Sequence, residues 1–402
     1  MTAALPVLGV AVLIGVAWVF STDRRRFPWR IVGWSLTLQI AFALFVLKSP
    51  VGAAALSAVA DVVDLALQQA NAGIELVFGP LADRERFGLI LAISALPAIV
   101  YIASVSSVLY HLGILQLIVV GIARAMVKTL RTSGAETLAA AANVFMGQTE
   151  APLAVAPYLN KMTRSELHAV MVSGMATVSG GMLAAYIALG VDARFLLAAS
   201  LVNAPAALMM AKILVPETRA AETSGQVNWK VERPDANLID AAASGASAGM
   251  KLVLNVVAML IAFLSLVALI DLPLGMVGLS LSGILGALFT PLAFLIGVPA
   301  GEVGPVAAML GKKVIFNEFV AYLDLAALKA EGALSARTEV IATFAIFGFA
   351  NFGSIGIQIG GIGALAPDRK RDLARLGLRA LLGGTLATLL TAAIAGMLIS
   401  GI

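Results

Sequence analysis

Residues 139–158 read A-A-A-A-N-V-F-M-G-Q-T-E-A-P-L-A-V-A-P-Y, which places four polar side chains, among them Glu150, inside an otherwise apolar run. An ionisable side chain at the centre of a bilayer costs about 2.5 kcal/mol or more, so it faces a cavity or a polar partner rather than lipid. The position of Glu150 therefore indicates a functional site within a membrane protein.

The charges that flank this stretch decide how it enters the membrane. Basic residues lie on both sides of it: Arg124, Lys128 and Arg131 before, Lys161 and Arg164 after. Basic residues favour the cytoplasmic side, so both ends are expected there. Each arm holds about ten residues, or about 15 Å of helix, which is half of a hydrocarbon core about 30 Å thick. The pattern predicts a re-entrant hairpin with its tip at 147–152 near the midplane; a single crossing helix is the alternative.

The composition of the whole chain agrees with a membrane location. Of 402 residues, 60% are hydrophobic and 12% are charged, which is typical of a polytopic membrane protein surrounded by lipid. The basic residues behind the net charge of +4 lie in short loops, so they indicate the orientation of the spans in the membrane rather than binding to a nucleic acid. The absence of cysteine excludes disulfides and thiolate metal sites. The first apolar run precedes a cluster of three arginines, which predicts a retained span with its N-terminus outside.

Hydrophobic runs predict an all-α polytopic membrane protein with eight transmembrane helices, two re-entrant helical hairpins and interfacial helices. The predicted spans are residues 3–21, 32–48, 88–110, 166–189, 195–214, 249–270, 338–359 and 380–402. Polar residues recur through 50–87, so this segment is predicted to lie at the outer interface, as is 274–296. With the basic loops on the cytoplasmic side, both termini are expected on the outer, periplasmic side.

The two halves of the chain repeat one plan. Residues 88–214 and 249–402 each contain a span, an interfacial helix, a hairpin with a glutamate at its tip, a glycine-interrupted polar span and a final span, and they enter from opposite sides. Such an inverted repeat indicates a secondary transporter with its binding site between the halves. The predicted domains are a scaffold at 1–110 and 249–273, hairpin repeats of a transport domain at 111–215 and 274–402, and a cytoplasmic linker at 216–248.

Three short motifs lie at the two predicted tips and in the broken span of the second half. They read G-Q-T-E-A-P at 147–152, F-N-E-F at 316–319 and F-A-N-F-G-S-I-G at 349–356. In this order they resemble the concentrative nucleoside transporters of bacteria. The resemblance implies a homotrimer in the bacterial inner membrane that imports a uridine-like nucleoside together with a cation, by an elevator-type movement, and that is not an enzyme.

The resemblance also implies roles for individual residues. The nucleobase side would comprise Gln148, Thr149 and Glu150, the ribose side Glu318, Phe349, Asn351 and Ser354, and the sodium site Asn143, Thr177 and the backbone of Met146 and Val178. The chemistry agrees, because a ribose diol donates well to a carboxylate and an amide offers both a donor and an acceptor to a base.

Several alternatives remain open at this point. Thr177 stands where serine is common in sodium-coupled relatives, and a proton carried by Glu150 or Glu318 is the rival to sodium, since a desolvated carboxyl group binds protons more readily. Asn351 and Ser354 could instead serve helix packing. From other functional classes, an intramembrane hydrolase with paired carboxylates and a glutamate-lined channel are considered, but the hydrolase lacks a histidine metal pattern or a nucleophile dyad.

Overall fold

The computed structural model describes residues 4–88, 90–223 and 235–399, and within these ranges the regular structure is helical. Nineteen α-helices follow one another in the described part of the chain. They are α1 (Ala4–Val19), α2 (Trp29–Lys48), α3 (Pro50–Phe78), α4 (Arg84–Phe87), α5 (Leu91–Ser94), α6 (Pro97–His111), α7 (Ile114–Leu130), α8 (Gly134–Ala142), α9 (Ala156–Leu159), α10 (Arg164–Ala176), α11 (Gly180–Ala188), α12 (Ala193–Leu214), α13 (Leu238–Met276), α14 (Leu281–Leu295), α15 (Val303–Ile315), α16 (Glu318–Ala330), α17 (Ala336–Ile346), α18 (Phe352–Leu365) and α19 (Lys370–Leu398).

The first predicted hairpin is present as a reversal of the chain. Helix α8 begins with a capping box, in which Ser133 Oγ accepts from the Glu136 amide and the Glu136 carboxylate accepts from the Ser133 amide. After α8 the chain turns, continues as a 3-10 helix at Ala151–Val155, and enters α9. The 3-10 segment packs back against α8. The depth of this hairpin in a membrane stays a prediction.

The second hairpin is built in the same manner. Helices α15 and α16 pack against each other, and only Phe316 and Asn317 separate them. Asn317 caps α16, because its side-chain oxygen accepts from the Val320 amide at 3.0 Å. Glu318 is therefore the first residue of a helix and lies at the tip, as the sequence predicts.

Both glycine-interrupted spans are divided into two helices. The first divides between α10 and α11, where Thr177 has extended backbone angles and Ser179 caps the second helix. The second divides between α17 and α18, where Asn351 is the cap. Each break exposes backbone groups that a continuous helix would have paired, and such groups are available for binding.

Helices α12 and α19 lie at the centre of the molecule. Helix α10 packs against both, α17 packs on α19, and α1 and α2 also contact α12 and α19. Helix α13 instead packs along α6 and leaves many apolar side chains exposed, for example Leu254, Ile261 and Leu269. The sequence assigns 1–110 to the scaffold; the contacts of α1 and α2 link these two helices to the central group instead, and the division into domains stays a prediction.

Helix α3 forms most of the segment 50–87, which is predicted to lie at the outer interface. It is one helix of 29 residues, or about 44 Å long, and its stretch is one of seven in the described residues that are long and apolar enough to cross a membrane. A cavity of about 400 Å³ is lined by Asp64, Gln68, Asn71 and Glu75 of α3 and by Ile187 and Ala188 of α11. Gln68, Asn71 and Glu75 are nevertheless exposed and Asp64 is half-buried, so the interfacial position of this helix stays a prediction.

A buried ionic network connects the base of the first hairpin to α10 and α12. Lys212 Nζ lies 2.7 Å from Glu136 Oε2 and donates to Ser165 Oγ at 2.9 Å. Ser133 Oγ donates to Glu166 Oε1 at 2.6 Å. Removing one partner of a buried ion pair is strongly destabilising, by about 3–5 kcal/mol. The network therefore holds α8, α10 and α12 together as one unit.

Candidate functional site

The tip of the first hairpin contacts the second half of the chain through Gln148. This side chain is 7% exposed; its Nε2 donates to Ser354 Oγ at 3.0 Å and its Oε1 accepts from Gln358 Nε2 at 3.1 Å. Gln358 also donates to the Met171 carbonyl at 2.9 Å. Sequence reasoning missed Gln358, although Asn351, Ser354 and Gln358 are spaced by three and four residues and so share one face of α18.

The tip of the second hairpin reaches the same region through Glu318. Its carboxylate is buried; Oε1 accepts from the Tyr186 hydroxyl at 2.9 Å and Oε2 accepts from Asn351 Nδ2 at 3.2 Å. Tyr186 stacks on Tyr322 with 4.1 Å between ring centroids. Tyr186 was not predicted either; a lone phenol in the apolar helix after a break is the signal that could have indicated it.

Asn351 joins the two tips. Its Oδ1 accepts from the Ser354 amide at 2.9 Å as the cap of α18, while its Nδ2 donates to Glu318. Ser354 in turn receives the hydrogen bond from Gln148. The structure thus brings Gln148, Glu318, Asn351 and Ser354 into one buried polar cluster at the start of α18, from three motifs that are far apart in the sequence.

The other predicted substrate residues lie around this cluster. Thr149 packs against Gly361 of α18, where an added Cβ would approach Thr149 Cγ2 to 2.6 Å. Glu150 is exposed, and its Oε2 accepts from the Gly147 amide at 3.1 Å, which closes the turn of the tip. Phe349 is half-buried in the second break. Glu150 therefore stands at the accessible edge, and its carboxylate is bonded to its own hairpin rather than to the cluster.

The two breaks cross each other through main-chain atoms. The Phe349 amide donates to the Thr177 carbonyl at 3.2 Å. Gly348 has a φ of +94°, and a Cβ there would lie 2.7 Å from the carbonyl carbon of Ala176. Both the left-handed backbone and the close approach require glycine. The crossing fixes the unwound segments of the two halves against each other.

The predicted sodium ligands surround the first break. Asn143 Nδ2 donates to the Ala139 carbonyl at 3.0 Å and to Ser173 Oγ at 3.1 Å, while the buried Oδ1 receives no hydrogen bond from the described residues. Thr177 Oγ1 donates to the Ser173 carbonyl at 2.8 Å and keeps its lone pairs. An unpaired buried acceptor costs about 1–3 kcal/mol, and a cation would offset this cost.

Met146 and Val178 lie next to these two side chains in the sequence. Met146 belongs to the turn after α8 and Val178 to the segment between α10 and α11. The resemblance implies that both contribute backbone carbonyls, and this stays a prediction. Amide, hydroxyl and carbonyl oxygens at a broken helix suit a hard cation, so the donors present fit sodium.

Helical hairpins with polar tips that meet two interrupted helices are typical of secondary transporters of the membrane. Family models cover most of the chain: "Na+ dependent nucleoside transporter N-terminus" matches residues 8–81, "Nucleoside recognition" matches 92–192, and "Na+ dependent nucleoside transporter C-terminus" matches 195–396. The chain belongs to the concentrative nucleoside transporter family, and it is a nucleoside transporter rather than an enzyme. The resemblance is confirmed, and the hydrolase alternative is excluded.

Individual relatives match nearly the whole of this chain. An uncharacterized transporter of Haemophilus influenzae is 46% identical over 99% of this chain and 98% of its own. The nucleoside permease NupC of Helicobacter pylori is 40% identical over 98% of this chain and 97% of its own. The sodium/nucleoside cotransporter 1 of Mus musculus is 39% identical over 97% of this chain, which spans 63% of that longer protein.

A solved relative has the same fold. The structure of CNTnw in an inward-facing substrate-bound state is 42% identical, with a TM-score of 0.94 over 100% of this chain and 98% of that one. An intermediate state of a CNTnw variant gives a TM-score of 0.96 at 41% identity and covers 100% of both chains. The predicted all-helical membrane fold is confirmed at this level; the number of crossings and the re-entrant character of the hairpins stay predictions.

Proposed function

We propose that this protein is a sodium-coupled symporter that imports uridine-like nucleosides across the bacterial inner membrane. The observation that carries the proposal is the meeting of the two hairpin tips at the start of α18, where Gln148 and Glu318 bond to Ser354 and Asn351. A nucleoside has two polar ends, and this cluster has two chemically different sides. One side is amide and hydroxyl, and the other is a carboxylate.

The chemistry of each side suits one end of the nucleoside. Gln148, with Thr149 and Glu150 beside it, would read the base, because an amide both donates and accepts. Glu318 and Asn351, with Ser354 and Phe349, would bind the ribose, whose hydroxyls donate to a carboxylate. The present bonds among these side chains would be exchanged for bonds to the substrate. A site of this kind rejects analogues that lack a hydroxyl, because its buried polar groups would be left unpaired.

Sodium is the preferred coupling ion because Asn143 Oδ1 receives no hydrogen bond from the described residues, and Thr177 Oγ1, which donates to the Ser173 carbonyl, keeps its lone pairs for a cation. A cation bound by them and by the carbonyls of Met146 and Val178 would hold the first tip against the break between α10 and α11. Gln148 would then be positioned for the base. Ion and nucleoside would bind with positive and reciprocal coupling.

A proton is the second candidate, and Glu318 favours it. This buried carboxylate receives its hydrogen bonds from a phenol and an amide, which are neutral donors. Keeping a charge buried with neutral partners is costly, and such groups often bind a proton instead. Substrate release and proton release would then be linked at the same side chain.

The proposed movement is of the elevator type in a homotrimer. The network around Lys212 and the packing of α10, α12, α17 and α19 would keep the substrate site in one moving body, whereas the exposed apolar side chains of α13 would contact lipid or a neighbouring subunit. Both termini would lie in the periplasm, since the basic loops are cytoplasmic in the predicted topology.

Radiolabelled uridine uptake into proteoliposomes tests the proposal. Sodium and proton gradients are imposed separately, and accumulation above the external uridine concentration is the expected result with sodium. Accumulation with a proton gradient alone would show that the transporter is coupled to protons. Equilibration without accumulation under either gradient would contradict symport and support a channel.

A further inference from the structure

A buried lysine lies at the break of the second interrupted helix pair. Lys313 is on α15, four residues before Asn317, and its side chain is 1% exposed. Its Nζ donates to the carbonyls of Ala345 at 3.0 Å and Phe347 at 2.9 Å and to Thr388 Oγ1 at 2.8 Å. An ammonium group has three protons, so each proton has one acceptor.

The acceptors are those expected around a cation. Ala345 and Phe347 lie at the C-terminus of α17, where the last carbonyls lack helical partners and carry the negative end of the helix dipole. Thr388 Oγ1 donates its own proton to the Thr385 carbonyl at 3.1 Å, which leaves its lone pairs for the ammonium. Three oxygens, for which the described residues provide no competing side-chain donor, therefore surround one positive charge.

The same three elements surround the candidate sodium site in the first half. There the first hairpin arm contributes Asn143, the break follows α10, and the final long helix α12 contributes Asn203, whose Nδ2 donates to the Ala176 carbonyl at 2.9 Å. In the second half the corresponding elements are α15 with Lys313, the break after α17, and α19 with Thr388. At equivalent places in the two halves, the first half thus offers an unpaired oxygen and the second half holds an ammonium group.

We infer that Lys313 is a tethered cation, which occupies in the second half the place where the first half takes a free ion. The ammonium is a positioning group: it connects the arm that leads to Glu318 with the break that leads to Asn351. These two side chains are bonded to each other, and their relative position decides the ribose side. The inference rests on the proposed nucleoside site.

The first test removes the charge and keeps the shape. Lys313→Met is compared with Lys312→Met, its neighbour, whose ammonium pairs with Asp324 at the partly exposed side of α15. Uridine binding by calorimetry at saturating sodium should weaken by about tenfold or more in Lys313→Met, which corresponds to about 1.4 kcal/mol, and by less than about twofold in Lys312→Met. Equal affinities in wild type and a folded Lys313→Met would overturn the inference.

The second test replaces the tether by a free ion. Lys313→Ala leaves the three oxygens and a space, into which methylammonium fits and tetramethylammonium, which cannot donate, does not. Methylammonium should raise the melting temperature of Lys313→Ala and tighten its uridine binding, with no such change in wild type or in Lys313→Met. A melting temperature of Lys313→Ala that responds equally to both ions would overturn the inference. This measurement needs no nucleoside, so it is separate from a failure of the proposed function.

Discussion

Replacing Glu318 by glutamine tests the ribose side most directly. Glutamine keeps the shape of the side chain, but it has one acceptor oxygen where the carboxylate has two, and these two now bond to Tyr186 at 2.9 Å and to Asn351 at 3.2 Å. Its amide nitrogen would face one of these donors. A hydrogen bond to a charged group contributes about 1.5–3 kcal/mol, so the affinity for uridine should fall by about 12- to 150-fold at about tenfold per 1.4 kcal/mol.

Calorimetry on the purified protein at saturating sodium measures this change. Glu331→Gln is the matched control, because Glu331 follows the last residue of α16 on the same hairpin and is exposed; its affinity should equal that of the wild type. The affinity for 2'-deoxyuridine gives a second measurement. The loss of affinity caused by removing the ribose hydroxyl and the loss caused by Glu318→Gln should not be additive, because both remove the same hydrogen bond. Unchanged uridine affinity in a folded Glu318→Gln protein would refute the ribose assignment.

Three further predictions concern the ion site, the topology of the first hairpin and the role of Gln358. Thr177→Val should weaken the dependence of uridine binding on sodium more than the affinity at saturating sodium, measured by calorimetry across a sodium series at two pH values; a dependence on pH alone would select proton coupling. Single cysteines in place of Arg131 and Lys161 should both react with an impermeant thiol reagent from the cytoplasmic side, and labelling from opposite sides would indicate a crossing helix. Gln358→Leu should weaken uridine binding by about 1–3 kcal/mol, because Gln148 loses a buried partner, and equal affinity would show that Gln358 serves packing alone.

The sequence predicts the parts of the site that contrast with their surroundings. Gln148 and Glu318 are polar residues in apolar runs, and the position of each at a hairpin tip agrees with the structure. The glycines near both interrupted spans likewise indicate the breaks. In these cases local composition is sufficient, because a polar group in a membrane segment needs a special environment.

The partners of these residues could not be predicted in the same way. Tyr186 is separated from Glu318 by 132 residues and Gln358 from Gln148 by 210, so only the packed fold brings them together. Helix α3 shows a related difficulty, because its polar side chains alone do not decide between a position at the membrane interface and a crossing helix. The pattern gives the amphipathic character, while the neighbouring helix decides what the polar face contacts.

The crossing of the two breaks has a consequence for how this family can diversify. The bond from the Phe349 amide to the Thr177 carbonyl uses atoms that every residue except proline provides at the donor position. Substitutions at Phe349 can therefore reshape the proposed ribose side of the site, while the hydrogen bond between the two halves is kept. Gly348 is the exception, since the crossing tolerates no side chain there. Single substitutions at Phe349 can thus change the substrate preference without removing the hydrogen bond between the two interrupted helices.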